Sequence, residues 1–161
     1  MEDSFSKYSI KRAGGFASSK YKFFDGDGKL LFKSKSNMWT GTTKITSQET
    51  GDVFYLKRRS ALASTFELAD GDFVIATMKP KSWTNAYNLE LHAKDCDPIT
   101  LKSNAWASKF RVMLGNEEVG VLSSKDWTST ELGIVLKNVR VTAVVLFAFM
   151  ITLNIMRMAN M

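Results

Sequence analysis

Residues 141–156 read VTAVVLFAFMITLNIM, and this stretch decides how the rest of the chain must fold. It lies between Arg140 and Arg157 and contains no charged residue. A helix that is apolar on every side must be enclosed, either by lipid or by the remainder of its own protein. This helix would be roughly 24 Å long, whereas a bilayer-spanning helix needs about 20 apolar residues. The stretch is therefore marginal as a membrane anchor and well suited to a buried core helix.

The composition favours one globular domain inside the cell. The chain has 161 residues, of which 24% are charged, and its mean hydropathy of −0.12 is ordinary for a globular protein. A single cysteine, Cys96, excludes an intrachain disulfide and is typical of a reducing compartment. Residues 1–12 contain no apolar run of the kind found in secretory signals. We therefore expect a single domain over residues 1–161, with 139–157 as its central helix, in the cytoplasm.

Upstream of the apolar stretch, short aromatic and aliphatic runs alternate with turn sequences, which is typical of an all-β barrel or sandwich. Glycine and aspartate in these turns supply the positive φ angles that tight hairpins require. The five turns are DGDG (25–28), ETGD (49–52), ADGD (69–72), DCDP (95–98) and GNEE (115–118). A second kind of connection combines lysine and serine with tryptophan, as KSNMW (35–39), KSW (81–83), KSNAW (102–106) and SKDW (124–127).

This spacing predicts twelve strands. They fall near 8–12, 20–24, 29–35, 42–47, 52–59, 63–68, 72–79, 86–92, 98–103, 108–114, 118–124 and 132–137. Period-two alternation is visible in many of them, for instance Lys109, Arg111 and Met113 against Phe110, Val112 and Leu114. A sheet of about twelve strands is large enough to close into a barrel that encloses another element of the chain. We therefore predict a mainly β fold, a closed barrel of about twelve antiparallel strands that encloses a C-terminal hydrophobic α-helix.

Three segments carry a family resemblance. They are FFDGDGKLLFKSKS (23–36), TKITSQETGDVFYLKRR (43–59) and LGIVLKNVRVTAVVLFAFMITLN (132–154). With them the chain resembles the tubby C-terminal-like superfamily, and within it the branch of phospholipid scramblases and LURP-one-related proteins. Arg140 and Asn154 depart from that branch, which often has aspartates around the helix. The resemblance implies a closed twelve-stranded barrel around a C-terminal helix and says much less about function, because members of one fold differ in what they do.

The charges are predicted to separate between the two ends of the barrel. In a meander all five turns lie at one rim, and they contain ten of the sixteen acidic residues: Asp25, Asp27, Glu49, Asp52, Asp70, Asp72, Asp95, Asp97, Glu117 and Glu118. The opposite strand ends carry candidate anion-binding residues, Lys33, Lys35, Lys57, Arg58, Arg59, Lys79, Lys81 and Lys102, followed by Lys125. Beside them stand four candidate interface aromatics, Trp39, Trp83, Trp106 and Trp127. Tryptophan with lysine or arginine is favoured at a lipid headgroup boundary, although turn propensity and solvation alone would produce the same pattern.

No catalytic or metal-binding constellation is evident. The run DGDGKLLF (25–32) has Lys29 and Leu30 where a calcium loop needs an oxygen donor and a glycine, so it is expected to be a plain hairpin. His92 is the only histidine, which excludes a multi-histidine metal site or a histidine-based triad. Glu67 and Glu90 could both face the barrel interior, but nothing pairs them as acid and base. We expect no catalytic residue, no metal and no cofactor.

The sequence favours a non-enzymatic, monomeric binding module. Its basic, tryptophan-bearing rim would dock on anionic phospholipid, as peripheral membrane contact, or on a protein partner. The resemblance to tubby-type members, which bind phosphoinositide headgroups, implies phosphoinositides as one such surface. A membrane-anchored, scramblase-like protein with its C-terminal segment in the bilayer is the alternative. A nucleic-acid-associated regulator, suggested by the pI of about 9.4, ranks last because no exposed aromatic stacking platform is recognisable.

Overall fold

The computed structural model describes residues 5–13, 18–37, 40–59, 65–82, 85–103, 109–124 and 131–159, which form twelve strands and one helix. The first six strands are β1 (Phe5–Ala13), β2 (Ser18–Asp25), β3 (Leu30–Asn37), β4 (Thr42–Ser47), β5 (Val53–Arg58) and β6 (Phe66–Asp70). The second six are β7 (Phe73–Ser82), β8 (Asn85–Ala93), β9 (Ile99–Ser103), β10 (Lys109–Leu114), β11 (Glu117–Ser124) and β12 (Glu131–Lys137). The helix α1 (Ala143–Ala159) follows β12.

The strands form one closed antiparallel barrel in which every strand pairs with its neighbours in sequence. Closure is made by β1 and β12, whose register runs from Phe5 opposite Lys137 to Lys11 opposite Glu131. The predicted fold class is therefore confirmed. Because successive strands are always adjacent, the connections alternate between the two ends of the barrel. We call the end that carries turns 25–29, 48–52, 71–72, 94–98 and 115–116 the turn rim, and the other end the far rim.

The barrel interior is filled by α1. Side chains from Leu146 to Leu153 are 0% exposed, and they form one apolar cluster with the inward side chains of the strands. Phe147 packs against Phe23 of β2 and Phe32 of β3, with ring centroids 5.0 and 6.1 Å apart. The protein itself therefore supplies the enclosure that the apolar helix requires. Within the described part of the chain, no helix has the length and apolar character needed to cross a membrane.

The helix begins later than the sequence predicts, at Ala143 instead of residue 139. A link across the turn rim explains the difference. The amide of Arg140 donates to Asp97 Oδ2 and the amide of Asp97 donates to the carbonyl of Arg140, both at 2.9 Å. This reciprocal pair holds Arg140 outside the helix, and the carbonyl of Thr142 accepts the first helical hydrogen bond at 3.0 Å. The chain therefore enters the barrel at the turn rim and α1 runs towards the far rim.

Candidate functional site

The turn rim is acidic, as the sequence predicts, and the carboxylate of Asp25 stabilises its own turn. Asp25 Oδ1 accepts hydrogen bonds from the amides of Asp27 and Lys29, both at 2.9 Å. Gly28 adopts a φ of 84°, a conformation that side chains disfavour, and closes the same hairpin. Among the described residues, no group of three or more His, Cys, Asp or Glu side chains could hold a metal ion. DGDG is thus a plain hairpin in this structure.

The basic residues predicted for the far rim do not form a single patch. They lie on alternate strands around the barrel: Lys33 and Lys35 on β3, Lys57 to Arg59 at the end of β5, Lys79 on β7 and Lys102 on β9. In a twelve-stranded ring, β3 and β9 lie on opposite sides. The four tryptophans, Lys125 and the side chain of Lys81 lie outside the described residues. The residues that can be placed are therefore distributed around the barrel towards the far rim, and their role in binding an anion stays a prediction.

The densest predicted basic cluster, Lys57 to Arg59 at the end of β5, contacts neighbouring side chains of the protein itself. Arg59 Nε lies 3.6 Å from Glu67 Oε1. Arg58 stacks over the ring of Phe66 at 5.2 Å, and Lys57 Nζ lies 5.8 Å from the ring centroid of Tyr55. These contacts are made at the surface, where each is worth only about 0–1 kcal/mol. They nevertheless leave this cluster less available to an outside anion than its sequence suggests.

Glu67 and Glu90, which the sequence allowed to face the interior, point outward instead. Glu67 reaches Arg59, and Glu90 Oε2 lies 3.8 Å from Nε2 of the exposed His92. Their strand neighbours Leu68 and Leu91 are 0% exposed and occupy the inward positions. Alternation along a strand therefore places both carboxylates on the outer surface. The possibility that they face the interior is therefore excluded.

A basic surface that the sequence reasoning missed covers the outside of β1 to β4. We call it the lysine face, and its members are all exposed: Lys11, Lys20, Lys22, Lys33, Lys35 and Lys44. Lys33 and Lys35 were predicted site residues, and the other four were not. The four strands contain one carboxylate, that of Asp25 at the turn rim. The signal available in the sequence was the period-two spacing of Lys20 with Lys22 and of Lys33 with Lys35.

The strand register places these lysines directly beside one another. Lys22 lies opposite Lys11 on one side and Lys33 on the other. Lys35 likewise lies opposite both Lys20 and Lys44. Directly opposed residues have Cβ atoms about 4.5–5.5 Å apart, and like charges in such positions destabilise a sheet. Lys11 is partly offset by Glu131 of β12, whose Oε1 lies 3.6 Å from Lys11 Nζ. The electrostatic cost therefore falls mainly on the pairs among Lys20, Lys22, Lys33, Lys35 and Lys44, and a bound anionic surface would relieve it.

Polar side chains collect on the inner side of the same four strands, near the far rim. We call this group the inner polar cluster, and it consists of Arg12, Ser19, Tyr21, Ser34, Ser36 and Thr43 together with Asn154 of α1. In register, Arg12 lies opposite Tyr21 and Tyr21 opposite Ser34. The next row towards the rim pairs Ser19 with Ser36 and Ser36 with Thr43. Elsewhere the described core is mostly apolar.

Hydrogen bonds connect part of this cluster. Asn154 Nδ2 donates to the Tyr21 hydroxyl at 3.1 Å, and the Ser36 and Thr43 hydroxyls lie 2.8 Å apart. Burial raises the pKa of Tyr21 above its usual 10.0, and the hydrogen bond from Asn154 and the charge of Arg12 offset only part of that rise. The phenol therefore keeps its proton at physiological pH and remains a hydrogen-bond donor. Tyr21 and Asn154 also tie the helix to β2.

The closed barrel around a central helix is the architecture of the tubby-like C-terminal superfamily. A family model described as LURP-one-related matches residues 7–157, and the chain belongs to this LURP-one-related family. No curated protein and no solved structure matched the chain. Membership supports a binding-module role for the barrel, whereas the resemblance to scramblases gains no support of its own.

Proposed function

We propose that this protein is a non-enzymatic, intracellular binding module that docks as a monomer on anionic phospholipid surfaces through its lysine face. The observation that carries the proposal is the set of four lysine pairs placed directly opposite one another across β1 to β4. Each lysine near an anionic membrane is worth about 1 kcal/mol of binding free energy. Such anionic lipids lie in the cytoplasmic leaflet, which a cytoplasmic protein would meet.

The docking surface differs from the rim that the sequence suggests. Lys33 and Lys35 remain in it, and they now lie at its centre, flanked by lysines of β2 and β4. Lys57 on β5 adjoins the face, since its cross-strand partner is Thr42 of β4. Lys79 and Lys102, on β7 and β9, lie further round the barrel and are not required. A side-on orientation of the barrel against the membrane follows.

The composition of the face favours lipid over the other partners. All six members are lysines, whose flexible point charges suit a diffuse anionic surface. Arginine is preferred where one carboxylate or phosphate is held by a bidentate pair, as in a specific protein interface. Single-stranded nucleic acid would require exposed aromatic rings for stacking. The highly exposed aromatic side chains among the described residues are Phe5, Tyr55 and Phe73, and none of them lies on β2 or β3 at the centre of the face.

The test compares two triple variants of equal charge. K22Q/K33Q/K35Q removes the centre of the lysine face, and K79Q/K94Q/K109Q removes three exposed lysines elsewhere. With vesicles of phosphatidylcholine and phosphatidylserine, flotation at low salt should show the face variant binding roughly 100-fold more weakly, since about 3 kcal/mol is lost. The control should bind nearly as the wild type does, and high salt should release the wild type.

Three results would contradict the proposal. Equal losses in both variants would mean that net charge alone drives binding. Wild-type protein that ignores the vesicles but binds oligonucleotides would favour the nucleic-acid alternative. Wild-type flotation that resists high salt would place an apolar segment in the bilayer, as the scramblase-like alternative requires.

A further inference from the structure

Three exposed apolar side chains lie together on the outer surface of the barrel, on β5 and β7. Phe73 is 77% exposed and Val74 is 53% exposed, and both follow the turn of the β6–β7 hairpin. Tyr55 of β5 is 38% exposed. Among the described residues, the other large apolar side chain of this kind is Phe5, at the start of β1. Single exposed apolar residues are ordinary, whereas a group of them marks an interaction surface.

The strand register joins these residues into one patch. Tyr55 lies opposite Ala69 of β6, and Ala69 lies opposite Val74. Phe73 is next to Val74 and closes the hairpin opposite Asp70. Because Ala69 presents only a methyl group, a side chain from another molecule can pack between Tyr55 and Val74. We call Tyr55, Ala69, Phe73 and Val74 the hairpin patch.

Neither the core nor the turn accounts for the most exposed members of the patch. The inward positions of β6 and β7 are occupied by Leu68 and Ala76, which are 0% and 2% exposed. An apolar side chain stabilises the fold in proportion to the area that it removes from water, so Phe73 contributes little. The turn requires Gly71, whose φ is 61°, and it places no such demand on Phe73.

The charges beside the patch are acidic on the side of the turn rim. The two adjoining turns contain four exposed acidic residues and no basic one: Glu49, Asp52, Asp70 and Asp72. In the described part of the chain, no lysine or arginine nitrogen lies within 4.0 Å of these carboxylates. On its other side the patch ends at Lys44 of the lysine face, which lies opposite Tyr55. A basic molecule is therefore attracted to Phe73 and Val74 and repelled from the lysine face.

The position of the patch does not suit the membrane that we propose for the lysine face. In the ring of twelve strands, β7 lies four strands from β3, so a flat surface held against β3 does not reach β7. An anionic membrane would also repel the four carboxylates. Since the described strands close into a barrel without a free edge, a partner cannot bind by extending the sheet. The partner must therefore contact side chains.

We infer that the hairpin patch is a docking surface for a basic segment of a partner protein, one in which lysine or arginine stands beside an apolar side chain. Phe73 and Val74 supply the apolar contact, as aromatic residues do at the centre of many interfaces. Asp70 and Asp72 attract the cations of the partner. This surface is separate from the lysine face and does not depend on it, so the barrel is free to hold a membrane and a protein at once.

Selection from a display library of random peptides tests the surface. Peptides are selected on the wild type and counter-selected on F73S/V74S, and the retained sequences should combine lysine or arginine with apolar residues. Acidic sequences, or a failure to enrich peptides that prefer the wild type, would overturn the inference. F73S/V74S should melt close to the wild type, because these side chains are largely exposed. A marked fall in its melting temperature would assign them a structural role and would also overturn it.

Fluorescence anisotropy with a labelled peptide from that selection measures the apolar contribution. F73S/V74S should weaken the affinity by about 10-fold or more, the effect of losing a buried aromatic contact. Phe5→Ser, which removes an equally exposed phenylalanine elsewhere on the barrel, should leave the affinity unchanged. Equal losses in both variants would mean that the peptide adheres to any exposed ring, and the inference would fail.

The same assay measures the contribution of charge. D70N/D72N should weaken the peptide affinity several-fold at low salt and little at high salt, since salt screens exposed charges. E117Q/E118Q removes two exposed carboxylates from another turn of the same rim and should have no such effect. If both variants weaken binding equally, the net charge of the protein attracts the peptide and the hairpin patch is not its site.

Two other occupants of the patch give different results. Self-association of the wild type that is lost in both F73S/V74S and K22Q/K33Q/K35Q, measured by sedimentation, would make the occupant the lysine face of a second copy and overturn the inference. Vesicle flotation should be unchanged in F73S/V74S. Loss of flotation in that variant would place the patch in the membrane, so the proposed docking function would stand while this inference would not.

Discussion

The buried phenol of Tyr21 makes the stability of the fold depend on pH in the alkaline range. Its pKa is raised in the folded protein, first of all by burial, whereas the unfolded phenol titrates near its usual 10.0. The stabilisation is therefore complete below about pH 10 and is lost as the pH rises towards the higher pKa of the folded state. We expect the free energy of unfolding to fall more steeply between pH 9 and 11 in the wild type than in Tyr21→Phe.

Urea denaturation at fixed ionic strength measures this difference. The two proteins differ in no other titratable group, so a difference between their pH profiles belongs to Tyr21. Tyr55→Phe removes a partly exposed phenol and should follow the wild type. Parallel pH dependence in the wild type and Tyr21→Phe would show that Tyr21 is not the coupled group.

The residues of the inner polar cluster illustrate why the sequence did not predict them. In KSKS, residues 33–36, lysine alternates with serine, so neither face of the strand carries an apolar signal. The inward position of Ser34 follows from the pairing of β3 with β2 and β4 on either side. Arg12 looks like one more basic residue until its register with Tyr21 is known. Such a cluster depends on long-range strand pairing, which residue patterns do not contain.

At the scale of an element, α1 is held by aromatic packing at its centre. Phe147 is 0% exposed and lies against Phe23 and Phe32. Phe147→Asp would place an unpaired carboxylate in this apolar contact and should destabilise the protein by several kcal/mol, on the order of 4. Thermal or urea denaturation measures the loss.

Thr142→Asp is the matched control for that substitution. Thr142 is exposed and precedes the helix, where aspartate is also a favourable N-cap residue. The control should therefore melt close to the wild type. Equal stability of the wild type and Phe147→Asp would mean that the helix does not fill the barrel.

The ends of helices and strands were predicted well where a local turn sequence sets them. They were predicted poorly where contacts with residues distant in sequence set them. Alternation in β10 correctly predicts buried Phe110 and Val112, yet Met113, predicted to face outward, is 7% exposed. A β-bulge between Val112 and Met113 shifts the register there. The helix start moved by four residues for a comparable reason, since Asp97 is 43 positions away from Arg140. Neither effect has a local sequence signal.

At the scale of the molecule, the barrel requires its helix. The inward side chains of the strands form one core with α1, so removing the helix would expose an apolar interior. Deletion of residues 139–161 should therefore give insoluble protein, which expression and sedimentation would show. A soluble, well-folded barrel without these residues would contradict the central-helix arrangement.

The overall distribution of charge was predicted in part. Turn sequences indicated the acidic rim correctly, because a meander fixes which turns share an end. The basic residues were assigned to the opposite rim from their position along each strand, whereas their grouping depends on which lysines become cross-strand neighbours. The register that makes these lysines neighbours is known only once the pairing of the strands is known.

The pairing of β1 with β12 has a consequence for how this chain is made. The ribosome delivers Phe5–Ala13 well before one of its two partners, Glu131–Lys137, which follows more than 100 residues later. Until then the nascent sheet has two open edges with unpaired amides and carbonyls, and its apolar inner surface has no helix to cover it. The interval between these events is when the growing chain is most exposed to aggregation and to chaperones.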